Sequence, residues 1–286
     1  MGSVSGPAAP PPLNYRYGDH PSQFVRLHLP AGGAELPVVL VIHGGFWRQS
    51  YGLEYADPLC RNLIEFGVAA AAVEYRRVGR SSDDPERAEP AGGGWPMTLI
   101  DICTAVDSLD SMGQASAGGR LDWSRVVALG HSAGGHLAGW LAHRSSLPTG
   151  VPGAVGPGAV GPGAHWVPIL GAACQAPVMD LVTAAEQRIG GRAVVDLLGG
   201  SPDSAPQRYC HASPIGYVGD GARIALVHGT DDDEVPIDQS RRYAAAATAA
   251  GDPVELTEIA GAGHYQLIDP GHRTWEICRQ RVLRML

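Results

Sequence analysis

Residues 125–144 read RVVALGHSAGGHLAGWLAHR: a β-rich apolar run, then Gly130-His131-Ser132-Ala133-Gly134, then a segment with Leu137, Trp140 and Leu141 on one helical face. The order is strand, sharp turn, helix, the setting in which a G-x-S-x-G serine becomes a nucleophile. Such a turn forces Ser132 into a strained backbone conformation, and glycines two residues to either side remove the Cβ atoms that would clash there. The hydroxyl then projects above a sheet at a helix N-terminus, whose dipole favours developing negative charge. A plain glycine turn would explain the pentapeptide alone; the flanking strand and helix make Ser132 the candidate nucleophile.

Outward from this point, short apolar runs alternate with longer helical patterns, the signature of a mostly parallel central sheet with helices on both faces. The strand candidates are 24–29, 37–42, 68–75, 125–129, 167–173, 223–227 and 254–259. The fifth is the weakest, because Pro168 is tolerated only at a strand's start or edge. After Pro96, Leu99, Ile102, Cys103, Val106 and Leu109 share one helical stripe, with Asp101 and Asp107 directed away from it. Trp275, Cys278, Val282 and Leu286 form a similar face on a last helix. Residues 1–20 read as a disordered leader and 21–286 as one catalytic domain. Two segments break the rhythm: 76–96, a long loop that is either lid or disorder, and 150–164, where GAVGP occurs twice and a flexible surface loop is expected.

Acyl chemistry needs backbone N–H groups aimed at the oxygen that turns negative. His43-Gly44-Gly45-Phe46-Trp47 follows the run PVVLVI and offers them: Gly45, Phe46 and Ala133 are the expected oxyanion donors, with Gly44 shaping the turn and His43 tying the loop down. The acid lies among Asp231, Asp232, Asp233 and Glu234, just past the run RIALVHG, and spacing alone leaves the choice open. The base is His264, flanked by Gly261 and Gly263 after the run VELTEIA. Ser, acid, His is the chain order of the α/β-hydrolases. Trp47, Trp95, Trp166 and Tyr265 adjoin these motifs or loops and are expected to line an apolar substrate pocket, with core packing as the alternative for some of them.

The remaining composition narrows the partners. Of 286 residues, 44% are apolar and 17% charged, and no stretch approaches the ~20 apolar residues of a membrane span. A net charge of -8 argues against nucleic acid. Cys60, Cys103, Cys174, Cys210 and Cys278 form no CxxC pair and no metal-like cluster with His, so reduced thiols in a cytoplasmic protein are expected, with no metal or organic cofactor. Oligomeric state is not encoded in any motif found.

The motifs together resemble the α/β-hydrolase superfamily from about residue 20 to the C-terminus. HGGFW (43–47) is similar to the HGGxW element of kynurenine formamidases (arylformamidases) and to the HGGG element of hormone-sensitive-lipase-like esterases; GHSAGGHL (130–137) resembles their nucleophile elbow. HGTDDDEVP (228–236) matches HGxxDxxVP, which implies Asp232 as the acid, and GAGHYQLIDP (261–270) resembles the terminal histidine loop. The resemblance implies a serine hydrolase acting on a carboxylic ester or aryl formamide through an acyl-enzyme. A natural-product thioesterase or methylesterase is the enzymatic alternative, and a non-catalytic ligand-binding protein on the same scaffold is the other. The GAVGP repeat and DDPERAEP (83–90) depart from the family pattern and leave the substrate open.

Overall fold

The computed structural model describes residues 9–79, 92–156 and 166–286. Its centre is an eight-stranded sheet of order β1-β2-β4-β3-β5-β6-β7-β8. The strands are β1 Leu13–Arg16, β2 Phe24–His28, β3 Leu36–Ile42, β4 Ala69–Glu74, β5 Leu121–His131, β6 Ala172–Gln175, β7 Ile224–Gly229 and β8 Val254–Ile259. β1 and β2 pair antiparallel at one edge; the ladders from β4 to β8 are parallel. This is the α/β-hydrolase fold, as expected.

Side chains of a strand alternate between faces, and here each face is covered. Val38, Leu40 and Ile42 of β3 join one apolar cluster, whereas Val39 and Val41 join the other. Helices α1 (Asp57–Ile64) and α9 (Arg273–Leu283) cover the second face through Leu59, Leu63, Trp275 and Val282. On the first face lie α2 (Met97–Asp107), α4 (Ala133–Ala142) and α8 (Asp238–Ala250), which contribute Ile102, Trp140 and Tyr243. A single turn, α3 (Gln114–Ser116), precedes β5. Between β6 and β7, three short helices, α5 (Leu181–Glu186), α6 (Ala193–Leu198) and α7 (Pro206–Ala212), build a small cap.

Two expectations need correction. Residues 13–16, placed within the expected leader, are ordered: Leu13–Arg16 pairs with β2 and Tyr15 buries against the core. The strand expected at 167–173 starts only at Ala172; Pro168 cannot donate to a ladder, and the chain runs in irregularly before it. Asp101 and Asp107, read only as pointing away from the apolar stripe of α2, are both buried. Asp101 accepts from Arg76 Nη2 at 2.6 Å and Asp107 takes both Nη atoms of Arg144 at 2.6 and 2.7 Å, so partners in the tertiary structure replace solvent. Of the proposed lid, residues 80–91 lie outside the described residues, as do 157–164 of the Gly/Pro loop.

Candidate active site

The parallel strands end along one edge, and four loops leaving it carry the site. At the end of β5 the chain turns at Ser132, with φ 56° and ψ -119°, and enters α4 directly. The flanking glycines are required by contact: a Cβ on Gly130 would sit 2.0 Å from the carbonyl oxygen of Gly134, and one on Gly134 would sit 2.1 Å from that of Ile42. Helix α4 can therefore start hard against the end of β3. Ser132 is only 2% exposed, so its hydroxyl lies on the floor of a cleft rather than standing clear of the sheet.

Past β7, the Asp232 side chain is fully buried, and its Oδ1 accepts the backbone N–H groups of Glu234 and Val235 at 3.0 and 2.8 Å. Its Oδ2 lies 2.7 Å from His264 Nδ1 and 3.3 Å from His228 Nε2. Asp231 and Asp233 are exposed at the surface. Burial by itself would raise the Asp232 carboxyl; hydrogen bonds to His228 and His264 outweigh it and hold the group well below the usual carboxylate range. A carboxylate only accepts, so His264 carries its proton on Nδ1 and leaves Nε2 with a lone pair.

The loop after β3 brings Gly44, Gly45 and Phe46 to the same cleft, which has a volume of about 550 Å³ including its open mouth. Ser132, His131 and His264 form its polar floor, and Tyr51, Tyr55, Tyr265 and Ile268 its wall. Phe46 and Trp47 both take positive φ, 52° and 54°, which reverses the chain above Ser132. The cap meets this loop where Arg48 Nη2 donates to the carbonyl of Gly190 at 2.8 Å.

The structure thus brings Ser132, His264, Gly45, Phe46 and Tyr265 to one strand-end cleft, with Asp232 bonded to His264 and Ala133 next to Ser132 at the start of α4. The three tryptophans expected beside them are elsewhere. Trp47 is 1% exposed and packs in the core edge-on to His136, because the reversal at Phe46 turns the next side chain inward. Trp95 is half-buried and stacks on His211 of α7, with ring centroids 6.5 Å apart. Trp166 lines a separate small cavity with Leu141 and Ala142, at the end of α4 far from Ser132. A ten-residue helix is about 15 Å long, which separates the two ends of α4 by that much. The wall residues Tyr51, Tyr55 and Ile268 escaped the sequence reading; only the spacing of the two tyrosines by four, just after HGGFW, hinted at them. His228 served there as a spacing marker, and its contact with Asp232 is a product of the fold. Among the described residues, no group of three or more His, Cys, Asp or Glu is placed to hold a metal ion, and no helix is long and apolar enough to cross a membrane.

Residues 26–246, more than three quarters of the chain, match the BD-FAE family. The chain belongs to the BD-FAE family. Among curated relatives, this BD-FAE chain is 26% identical over 238 residues to esterase LipQ of Mycobacterium tuberculosis, which covers 82% of the chain and 51% of the relative. It is also 26% identical over 263 residues to a probable isoprenylcysteine alpha-carbonyl methylesterase of Oryza sativa subsp. japonica, covering 88% of the chain and 56% of the relative. The chain spans about half the length of the curated relatives it matches. Among solved structures, it is similar to a truncated carbohydrate esterase from gut microbiota (TM-score 0.76, 19% identity, 99% of this chain and 98% of that one). A thermophilic esterase of Thermogutta terrifontis with propionate bound gives a TM-score of 0.70 at 22% identity, over 97% and 94% of the two chains. At such identities the likeness carries the fold alone. Nothing among these relatives singles out a formamidase.

Two buried histidines beside the site set an acid limit on stability. Burial, with a smaller push from the neighbouring His264, drives His131 down to about 3. Burial likewise drives His136, whose Nε2–H donates to the carbonyl of Ala212 at 2.9 Å, down to about 4. Both are neutral in the fold, whereas the unfolded chain takes up a proton at each below pH ~6.5. Their contribution is constant above that pH and is lost as pH falls toward the folded values. Between pH 7 and pH 5 the two together are expected to lower stability by about 4 kcal/mol, about 2 kcal/mol each. Urea unfolding of the parent and of His136→Gln at both pH values measures this. The variant should lose about half as much; equal losses would show that His136 is not held neutral.

Proposed function

We propose that this chain is a serine esterase in which Ser132 is the nucleophile, His264 the general base and Asp232 the acid that orients it. The observation that carries this reading is the buried Asp232 carboxylate at 2.7 Å from His264 Nδ1, with Ser132 at positive φ in the same cleft. In this reading His264 Nε2 takes the proton of Ser132 as its Oγ attacks the ester carbonyl. Backbone N–H groups of Gly45, Phe46 and Ala133 receive the oxyanion. His264 then protonates the departing alcohol, and water repeats the steps on the acyl-enzyme. An aryl formamide fits the same chemistry, the amine leaving in place of the alcohol. A methylesterase reading is favoured by the names of two relatives; a non-catalytic receptor is disfavoured because it has no use for a buried acid–imidazole pair. The test is rapid labelling of Ser132 by a fluorophosphonate, with hydrolysis rates over acetyl and aromatic esters, thioesters and formanilides. A protein that neither labels nor turns over any of these is not this enzyme.

Substrate selection in this reading lies with Phe46, Tyr51, Tyr55 and Tyr265 rather than with the tryptophans. Tyr265 is 54% exposed, so Tyr265→Ala removes cleft wall without disturbing the core. It is expected to change the preference between aromatic and acetyl esters severalfold at an unchanged melting temperature. Trp47→Leu, in contrast, opens a core cavity worth roughly 3 kcal/mol and should lower the melting temperature and all activities together. Altered preference in Trp47→Leu with none in Tyr265→Ala would reverse the assignment.

A further inference from the structure

The loop that carries Gly45 and Phe46 runs from His43 to Leu53, and both of its feet rest on one carboxylate. Glu74, the last residue of β4, is 7% exposed. Its Oε1 lies 3.2 Å from His43 Nε2 at the first foot, and its Oε2 accepts the backbone N–H of Leu53 at 2.9 Å at the second. Arg77, 5% exposed, pairs with the same carboxylate and reaches Gln49 Oε1, in the middle of the loop, at 3.3 Å. The backbone of Val78 completes the support: its N–H donates to Trp47 at 2.7 Å and its carbonyl accepts from Gln49 at 2.9 Å. The chain just after β4 is thus the back wall of the loop.

The chemistry passes through His43. Its Nδ1 is 2.8 Å from the carbonyl oxygen of Gly44, and a carbonyl only accepts, so Nδ1 carries a proton. Nε2 faces an acceptor, Glu74, and a donor, Arg77 Nη1 at 3.4 Å. Either proton state of Nε2 is therefore satisfied, and Nδ1 stays committed to Gly44. In a trans peptide the C=O and the following N–H point opposite ways. Holding the Gly44 oxygen toward His43 turns the Gly45 N–H to the opposite side. Burial would raise the Glu74 carboxyl, but His43 and Arg77 outweigh it and keep it charged.

We propose that Glu74 is a positioning residue for acyl transfer, clamping both feet of the 43–53 loop and, through His43, aiming the Gly45 and Phe46 N–H groups at the oxyanion. The inference rests on the serine-esterase reading above. Glu74→Gln keeps the shape and an acceptor for Leu53 but loses the charge that pairs with Arg77 and His43; Glu74→Ala loses every contact. For both, kcat on 4-nitrophenyl acetate is expected to fall about 10- to 100-fold, less than full removal of one oxyanion donor, with KM within about threefold. The inhibition constant of phenylboronic acid, whose tetrahedral adduct places an oxygen in the hole, should rise by the same factor. A purely structural role lowers the amount of active protein without moving that constant. An unchanged boronate constant in folded Glu74→Gln would overturn the proposal, and so would failure of that isosteric variant to fold, which would make the carboxylate a folding group. Failure of the serine reading looks different: the parent itself would then bind neither boronate nor fluorophosphonate.

Discussion

Replacing Ser132 by Ala is expected to reduce ester hydrolysis by roughly 10⁴- to 10⁶-fold, the range seen when a triad nucleophile is removed. The same variant should take up no fluorophosphonate. Its melting temperature should stay close to that of the parent, because alanine at φ 56° is no more strained than serine there, and only one oxygen atom is removed. The comparison is made on purified, monodisperse protein with a single ester at saturating concentration. Activity within tenfold of the parent would remove Ser132 from the mechanism. A large loss of both activity and melting temperature would instead say that the strained turn, not the hydroxyl, is what the substitution disturbs.

Asp232→Asn is expected to be nearly as damaging, on the order of 10³- to 10⁴-fold in kcat. An amide can offer an N–H to His264 Nδ1, which shifts the ring proton to Nε2 and, in the serine-esterase reading, leaves no lone pair to take the proton of Ser132. The neighbours supply the control. Asp231 and Asp233 are exposed, with no bond to the imidazole, and Asp231→Asn and Asp233→Asn should stay within about threefold of the parent. Because the Asp232 carboxyl is held well below its usual range, it stays charged down to strongly acidic pH. Its share of stability is present above the ordinary carboxylate value and lost only as pH falls through the depressed one. Comparable losses at Asp231 or Asp233 would contradict the orientation seen at Asp232.

Local patterns in the chain were enough for the fold and for the chain order of the proposed site. Apolar runs predicted six of the eight strands nearly in place, because strands covered on both faces, such as β3, β4 and β7, are apolar along most of their length. G-x-S-x-G between a strand and a helix predicted the turn at Ser132, because the glycines answer a clash within a few residues of chain. The choice of Asp232 over Asp231 and Asp233 was not local. It came from a family resemblance, and the physical ground for it is the burial of one carboxylate between His228 and His264, 4 and 32 residues away.

What lay beyond the sequence was every property that depends on which surface a side chain meets. β1 looked like part of a leader since its exposed residues carry no periodicity; pairing with β2 is what orders it. Asp101 and Asp107 could be read only as pointing away from an apolar stripe; that Arg76 and Arg144, distant in the chain, cover them is a product of the fold. Trp47, Trp95 and Trp166 stood next to the right motifs and still missed the cleft, because adjacency along the chain says nothing of the side to which a ring turns. By itself, the sequence determined six strands of the sheet, the elbow and the chain order of the proposed serine, acid and histidine, since these rest on short-range sterics and strand periodicity. Only the tertiary structure decided how one carboxylate is buried against the imidazole, which aromatics wall the cleft and that Glu74 bonds both feet of the glycine loop, since those contacts join segments that no local rule connects.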